Sequence, residues 1–366
     1  MNEVFPGYEE LLQIYEKAEV RPIATSDRIV IFSDLHMGNG SRNDDFRHNG
    51  ELFISVLDRY YRKKGYQLIL NGDVEELQRF SWRSISQRWG DVYEVFSAIR
   101  RETAITRIVG NHDLELAEGG PSVGFPVPSD LSHWEGGDTA RVHEALRLAH
   151  KEGEIFVFHG HQTSRWYRKH NNLVRLLLRY LANPLHIKNA TVAADSRKQF
   201  KIERRAYEFA SRKKIMAIIG HTHRPLFESM SKADSLLFEI ESLCRAYPDS
   251  TVPGEIEEKV AMLKEKLVEV RQQELEQQFS SSLYREHLIV PSLFNSGCAL
   301  GRRGMTCLEI ERDRMSLIYW FDGSKSDSKR QFRAYPPEEM IPPHYHRAVI
   351  RSDSLQYIFS RIRLLA

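Results

Sequence analysis

Short apolar runs recur along the chain, and each one ends on residues that carry chemistry. Arg28–Ser33, Gln67–Leu70, Thr106–Val109, Ile155–Phe158 and Ile215–Ile219 are four to six residues long and mostly apolar. Runs of this length and continuity predict strands buried on both faces. Between them the apolar positions step by three and four. This predicts a helix over 8–19 (Leu11, Leu12, Ile14, Tyr15) and another over 50–64 (Leu52, Phe53, Val56, Leu57, Tyr60). Further helices are predicted over 91–101 and near 140–150. Strands alternating with helices indicate an α/β fold whose ligands gather at the carboxyl ends of the strands.

Three segments interrupt this rhythm. Residues 163–214 read as helical, basic and aromatic-rich. Residues 254–287 place Ile256, Val260, Leu263, Leu267 and Val270 at mixed three- and four-residue steps beside a dense charged face, predicting a long amphipathic helix or arm. From about Ser324 the chain is rich in proline and reads as a tail. Between the arm and the tail, 292–321 alternates around Gly297, Gly301 and Gly304 and predicts strands and hairpins that complete the sheet. The expected organisation is an N-terminal helix (1–27), one main domain (28–323) with insertions at 163–214 and 234–287, and a C-terminal tail (324–366).

The residues just after the strand runs form an ordered set: Asp34-Leu35-His36, Gly72-Asp73, Gly110-Asn111-His112-Asp113, His159-Gly160-His161 and Gly220-His221-Thr222-His223. Carboxylate, amide and imidazole donors without thiolate suit Mn²⁺, Fe, Zn²⁺ or Co²⁺. Two such ions roughly 3.5–4 Å apart can clamp the attacking and leaving oxygens of a phosphoryl displacement. Asp113 is read as a cap or brace of its loop rather than a ligand.

Composition narrows the picture. The 366 residues suffice for one large α/β domain or two ordinary ones. The three cysteines form no CxxC pair, which argues against a disulfide framework and fits a reducing compartment. The N-terminus shows no basic and apolar secretory signature. No run of about 18 apolar residues predicts a membrane span. A cytoplasmic location is expected, with peripheral contact on the inner face of the membrane as a variant. The formal net charge is only +2, yet Thr163–Lys214 holds 14 Lys/Arg against three acids. Such a block points to an anionic partner. No recognised nucleic-acid module accompanies it, which argues against nucleic acid.

The ordered set D-x-H, G-D, G-N-H-D, H-G-H and G-H-T-H resembles that of the calcineurin-like metallophosphoesterase superfamily, over about residues 28–225. The resemblance implies an α/β, four-layer αββα sandwich, here with a helical lid insertion and a long helical arm. It implies two divalent metal ions, Mn²⁺ foremost, with Fe, Zn²⁺ or Mg²⁺ as alternatives. Asp34, His36 and His223 would hold one ion, Asn111, His159 and His221 the other, and Asp73 would bridge them. A hydroxide between the ions would attack phosphorus. His112 would protonate the leaving oxygen or hold a phosphoryl oxygen, and Glu76 would orient His112, with Glu75 adjacent to it. The implied activity is hydrolysis of phosphate esters or pyrophosphates.

The stretch Arg165–Lys169 and the amphipathic run to Leu181 resemble the lid of the UDP-2,3-diacylglucosamine hydrolase branch. This suggests a phosphorylated small-molecule, lipid-linked or nucleotide-sugar-like substrate, with membrane contact through 165–181. His161, Arg165 and Arg224 are candidate substrate contacts. The chain differs from that branch at His112, where arginine is usual, and at His161, where aspartate is usual. Other expectations are a homodimer through 254–279, a catalytically silent scaffold, or a lipid-binding module at the membrane surface.

Overall fold

The apolar runs become strands packed into two sheets. The computed structural model describes residues 5–116, 142–164, 196–228, 236, 240, 243, 244, 247–249, 253–276, 290–300, 304–325, 338–342 and 344–366. Its strands are β1 (Glu19–Pro22), β2 (Arg28–Phe32), β3 (Gln67–Asn71), β4 (Ile105–Ile108), β5 (Val142–His143), β6 (Ala145–His150), β7 (Gly153–Phe158), β8 (Met216–Ile219), β9 (Leu293–Asn295), β10 (Met305–Glu311), β11 (Arg314–Asp322), β12 (Glu338–Ile341) and β13 (Tyr345–Ser354). The seven α-helices among the described residues are α1 (Tyr8–Lys17), α2 (Gly50–Val56), α3 (Trp82–Arg88), α4 (Gly90–Glu102), α5 (Ser196–Lys213), α6 (Pro253–Glu276) and α7 (Leu355–Leu365).

One sheet runs β1-β6-β7-β8-β9 and the other β12-β13-β11-β10-β2-β3-β4-β5. The chain is an α/β protein of four layers. Alternation along a strand sends neighbours to opposite faces. Ile29, Ile31 and Ile69 therefore share a core with the five-stranded sheet, α1, α5 and α7. Val30, Phe32, Leu68 and Leu70 share another with α2, α3 and α4. On the outer face of the five-stranded sheet, Phe156 meets Tyr15 of α1 and Phe209 of α5 at ring distances of 5.2 and 5.8 Å. On the far side, Phe32 meets Phe53 of α2 at 5.2 Å.

Four regions differ from the sequence reading or extend it. The helix predicted near 140–150 is strand: β5, then β6, which forms a hairpin with β7 from Ala145↔Phe158 to His150↔Gly153. Alanine, leucine and arginine there favour helix, but Leu146 and Leu148 alternate into the core and cross-strand pairing overrides local propensity. Residues 338–366, expected as tail, supply β12, β13 and α7, and β13 pairs antiparallel with β11 over its length. Ser354 caps α7, accepting from Tyr357 N at 3.2 Å, and Leu355, Ile358, Phe359 and Ile362 bury one helical face. Of the basic insertion, 165–195 lies outside the described residues. Residues 196–213 form α5, which packs Ala206, Phe209 and Ala210 into the core. In the arm, Leu263, Leu267 and Val270 of α6 bury against Leu236 and Leu243 of the same chain, with Ile256 and Val260 beside them. These contacts lie within one chain; of the span expected to join two copies, 277–279 lie outside the described residues.

Candidate metal centre

Parallel strands β2, β3 and β4 end side by side, as do β7 and β8. The backbone leaves these ends by sharp left-handed turns. Asp34, His36, Asp73, His221 and His223 have φ of 53°, 47°, 53°, 65° and 56°. Non-glycine residues adopt this region at a cost of about 1–3 kcal/mol each, and they cluster where side chains must be aimed. The glycines of the motifs serve close approach more than turning. A Cβ on Gly110 would lie 2.1 Å from Asp73 Oδ1, and one on Gly220 would lie 2.6 Å from Asp34 Oδ2. Gly72 has both reasons: its φ is 83°, and a Cβ would meet His159 Nδ1 at 2.4 Å.

Among the described residues three groups of donors converge, Asp34–His36–His223, Asp73–His159–His221 and His36–Glu76–His112, and the first two are made only of the predicted ligands. In the first, His223 Nε2 is 3.2 Å and His36 Nε2 3.9 Å from Asp34 Oδ1. In the second, His159 Nε2 is 3.1 Å from Asp73 Oδ2. The same Oδ2 lies 3.7 Å from His36 Nε2, so this one oxygen faces both sets. Asp73 Oδ1 is occupied otherwise, accepting the His112 N–H at 2.8 Å. Metal–ligand bonds of about 2.0–2.2 Å put neighbouring donors roughly 3–3.5 Å apart, the order of these spacings.

The tautomers also fit cations. His159 Nδ1 is 2.8 Å from Asn71 O, a group that can only accept, so Nδ1 carries the hydrogen. The Nε2 lone pair of the neutral ring then faces a carboxylate oxygen. His36 Nδ1 is 3.1 Å from Glu76 Oε2, and its Nε2 is 3.1 Å from His223 Nε2. Lone pairs so opposed need a proton or a cation between them. Asn111 Oδ1 is buried without a hydrogen-bond partner among the described residues, which leaves this amide oxygen available to a cation.

Charge at the site follows from burial opposed by neighbours. Burial pulls the His159 imidazole down, but Asp73 and Asp34 prevail and hold it at about 9. Burial, then the neighbouring His159, keep His221 well below its usual range, so its ring is neutral. Asp73 stays ionised well below its usual range: burial opposes this, and His159 and His112 outweigh it. A cation must displace the His159 proton. Ion affinity is therefore expected to rise as pH climbs toward 9, by about tenfold per unit for one proton released. Calorimetric titrations in buffers of different ionisation enthalpy check this.

Glu76 joins His112 to the centre. Its Oε1 is 2.8 Å from His112 Nδ1, while Oε2 holds His36, so one carboxylate orients two imidazoles. Burial raises its pKa, but His112 and His36 prevail and hold it at about 2. His112 is likewise depressed by burial and raised more strongly by Glu76 and Asp73, to about 9. Glu75 turns the other way, to Arg107 and Tyr93. Asp113 is a brace: its Oδ1 accepts Gly110 N at 2.6 Å and its Oδ2 accepts Val74 N at 2.9 Å.

Three further candidates fall differently. Buried His161 opens a short turn after Gly160, with its ring 5.5 Å from that of His159. Arg224 commits its guanidinium to Glu203, Nε lying 3.2 Å from Oε1. Arg165 lies outside the described residues. Supporting residues that no motif marks also appear. Gln78 Nε2 donates to Asn111 O at 2.8 Å, and Asn295 Nδ2 donates to Gly220 O at 3.0 Å. Both come from loops and strands distant in sequence, so only their polarity within apolar surroundings could have flagged them.

Fold and site together define an αββα protein whose strand ends carry adjacent carboxylate–imidazole sets able to hold metal. Residues 27–225 match the calcineurin-like phosphoesterase family, and the chain belongs to it. Comparison with curated proteins gives no match. Among solved structures, vacuolar protein sorting 29 of Cryptosporidium parvum is similar at 10% identity, covering 90% of this chain and 98% of its own, with a TM-score of 0.34. A dimetal phosphatase of Danio rerio is similar at 7% identity, covering 80% and 95%, with a TM-score of 0.33. A predicted phosphoesterase of Streptococcus pneumoniae is similar at 11% identity, covering 88% and 97%, with a TM-score of 0.28. These TM-scores are low, and the family assignment rests on the sequence match.

Proposed function

We propose that the protein is a dinuclear metal-dependent hydrolase of phosphate esters or pyrophosphates, with Mn²⁺ as the foremost metal. The observation that carries this is Asp73 Oδ2, placed between His36 of one donor set and His159 of the other. Asp34, His36 and His223 would hold one ion, Asn111, His159 and His221 the second, and Asp73 would serve both. When bound, the ions supply the Lewis acidity that polarises the phosphoryl group and acidifies water.

The chain's own groups do the rest. Protonated His112 holds a phosphoryl oxygen or delivers its Nε2 proton to the leaving oxygen, and Glu76 fixes its tautomer by taking Nδ1–H. Replacing His112 by Gln is expected to lower kcat about 10²–10³-fold on alkyl esters. The loss should be smaller on p-nitrophenyl esters, whose leaving group departs without a proton; comparing the two substrates checks the role.

The functional test is hydrolysis of bis(p-nitrophenyl) phosphate by the full chain with Mn²⁺. Activity that vanishes with a chelator supports the reading. A chain that takes up no Mn²⁺ and cleaves nothing is instead a silent scaffold. For the substrate, the basic amphipathic stretch 165–181 supports a lipid-linked or nucleotide-sugar-like anion, met at a membrane surface from the cytoplasm. No described helix is long and apolar enough to cross a membrane. Binding to anionic vesicles that weakens with salt tests that part.

A further inference from the structure

We propose that Glu203 is a positioning residue for both metal-donor sets, acting through Thr222 on the loop that carries His221 and His223. The proposal rests on the two-ion reading of the site. His221 belongs to one donor set and His223 to the other. Both have left-handed backbone, a state that persists only where the surroundings over-determine it. Thr222 lies between them, fully buried.

The restraint on that loop converges on Thr222. Its Oγ1 donates to Glu203 Oε1 at 2.8 Å and accepts from Asn295 Nδ2 at 2.9 Å. Its backbone carbonyl accepts from Gln199 Nε2 at 2.8 Å. Glu203 is itself buried, at 2% exposure, and both its oxygens engage Arg224, the residue after His223. One carboxylate thus grips the loop on both sides of His223. Gln199 and Glu203 are one turn apart on α5, and Arg205 of the same helix donates to Thr163 O at 2.7 Å, near the end of the loop that carries His159 and His161. The helix that closes the basic insertion therefore holds both ligand loops of the five-stranded sheet. A carboxylate in this place fixes ligand direction without touching an ion, and partners of that kind typically govern metal affinity by 10–100-fold.

The test is calorimetric titration of the ion-free full chain with MnCl₂, alongside its melting temperature. Wild type is expected to take up two ions. Glu203→Gln is expected to bind both 10–100-fold more weakly, with the ion-free melting temperature near that of wild type and activity restored at high Mn²⁺. Thr222→Val, which removes the linking hydroxyl at nearly constant shape, is expected to move affinity in the same direction and covers the case in which Glu203→Gln misfolds. Unchanged Mn²⁺ affinity in a folded variant overturns the proposal. So does weakening of one ion alone, since the loop would then serve one set. A wild-type chain that takes up no Mn²⁺ overturns the two-ion reading itself, a result visible before any variant is made.

Discussion

Asp73→Asn is expected to reduce Mn²⁺-dependent phosphodiester hydrolysis about a thousandfold or more, the equivalent of about 4 kcal/mol of transition-state stabilisation. The substitution hardly changes volume, so the loss is electrostatic. Asp73 Oδ2 faces His159 Nε2 at 3.1 Å and His36 Nε2 at 3.7 Å, and on the proposed two-ion reading this shared anion would hold two cations against their mutual repulsion. The amide oxygen can keep the Oδ1 role by accepting His112 N–H. That places the amide NH₂, a donor that repels cations, where Oδ2 stood. Both ions should weaken together, and kcat/KM should fall while circular dichroism stays like that of wild type. Retention of more than a tenth of the activity at saturating Mn²⁺ would remove Asp73 from the shared position.

Arg107→Met is expected to cost about 3–5 kcal/mol of stability, read as a shift of the urea unfolding midpoint. Arg107 sits on β4 with 3% exposure and faces the fully buried carboxylates of Glu75 and Asp113. Burial pushes the Asp113 pKa up against the pull of Arg107, and burial lowers that of Arg107. Buried charges that pair only with one another add little net stability but are costly to separate. Removing the guanidinium strands two carboxylates beneath the site. Asp113 also pins Gly110 and Val74, the neighbours of Asn111 and Asp73, so the damage reaches the metal donors. Pairing Arg107→Met with Glu75→Met should recover part of the loss, because an apolar replacement removes one buried charge along with its partner. A single variant as stable as wild type would mean that water reaches Glu75.

Much of this was legible in the chain because its signals are local. Five continuous apolar runs, each followed by a donor, mark the strand ends whatever the rest of the chain does. The motif order then names the family and the donor residues. Legibility failed where a local pattern has two solutions. Residues 145–150 suit a helix until β7 pairs with them. Ser354 followed by Leu355, Ile358, Phe359 and Ile362 is a capped apolar face, overshadowed by the prolines before it. Glu75 and Glu76 are chemically alike neighbours, and only the folded chain shows that one turns to Arg107 and the other to His112.

Side-chain chemistry and the five donor-bearing strand runs were thus legible in the sequence alone, since donor type and apolar continuity need no partner to be read. The tertiary structure decided everything that depends on distance: that one oxygen of Asp73 faces both sets, that Glu76 orients two imidazoles, that Arg224 turns to Glu203, and that the C-terminal segment is core. Those contacts join residues far apart in the chain, and their energy comes from burial and convergence that no single stretch contains.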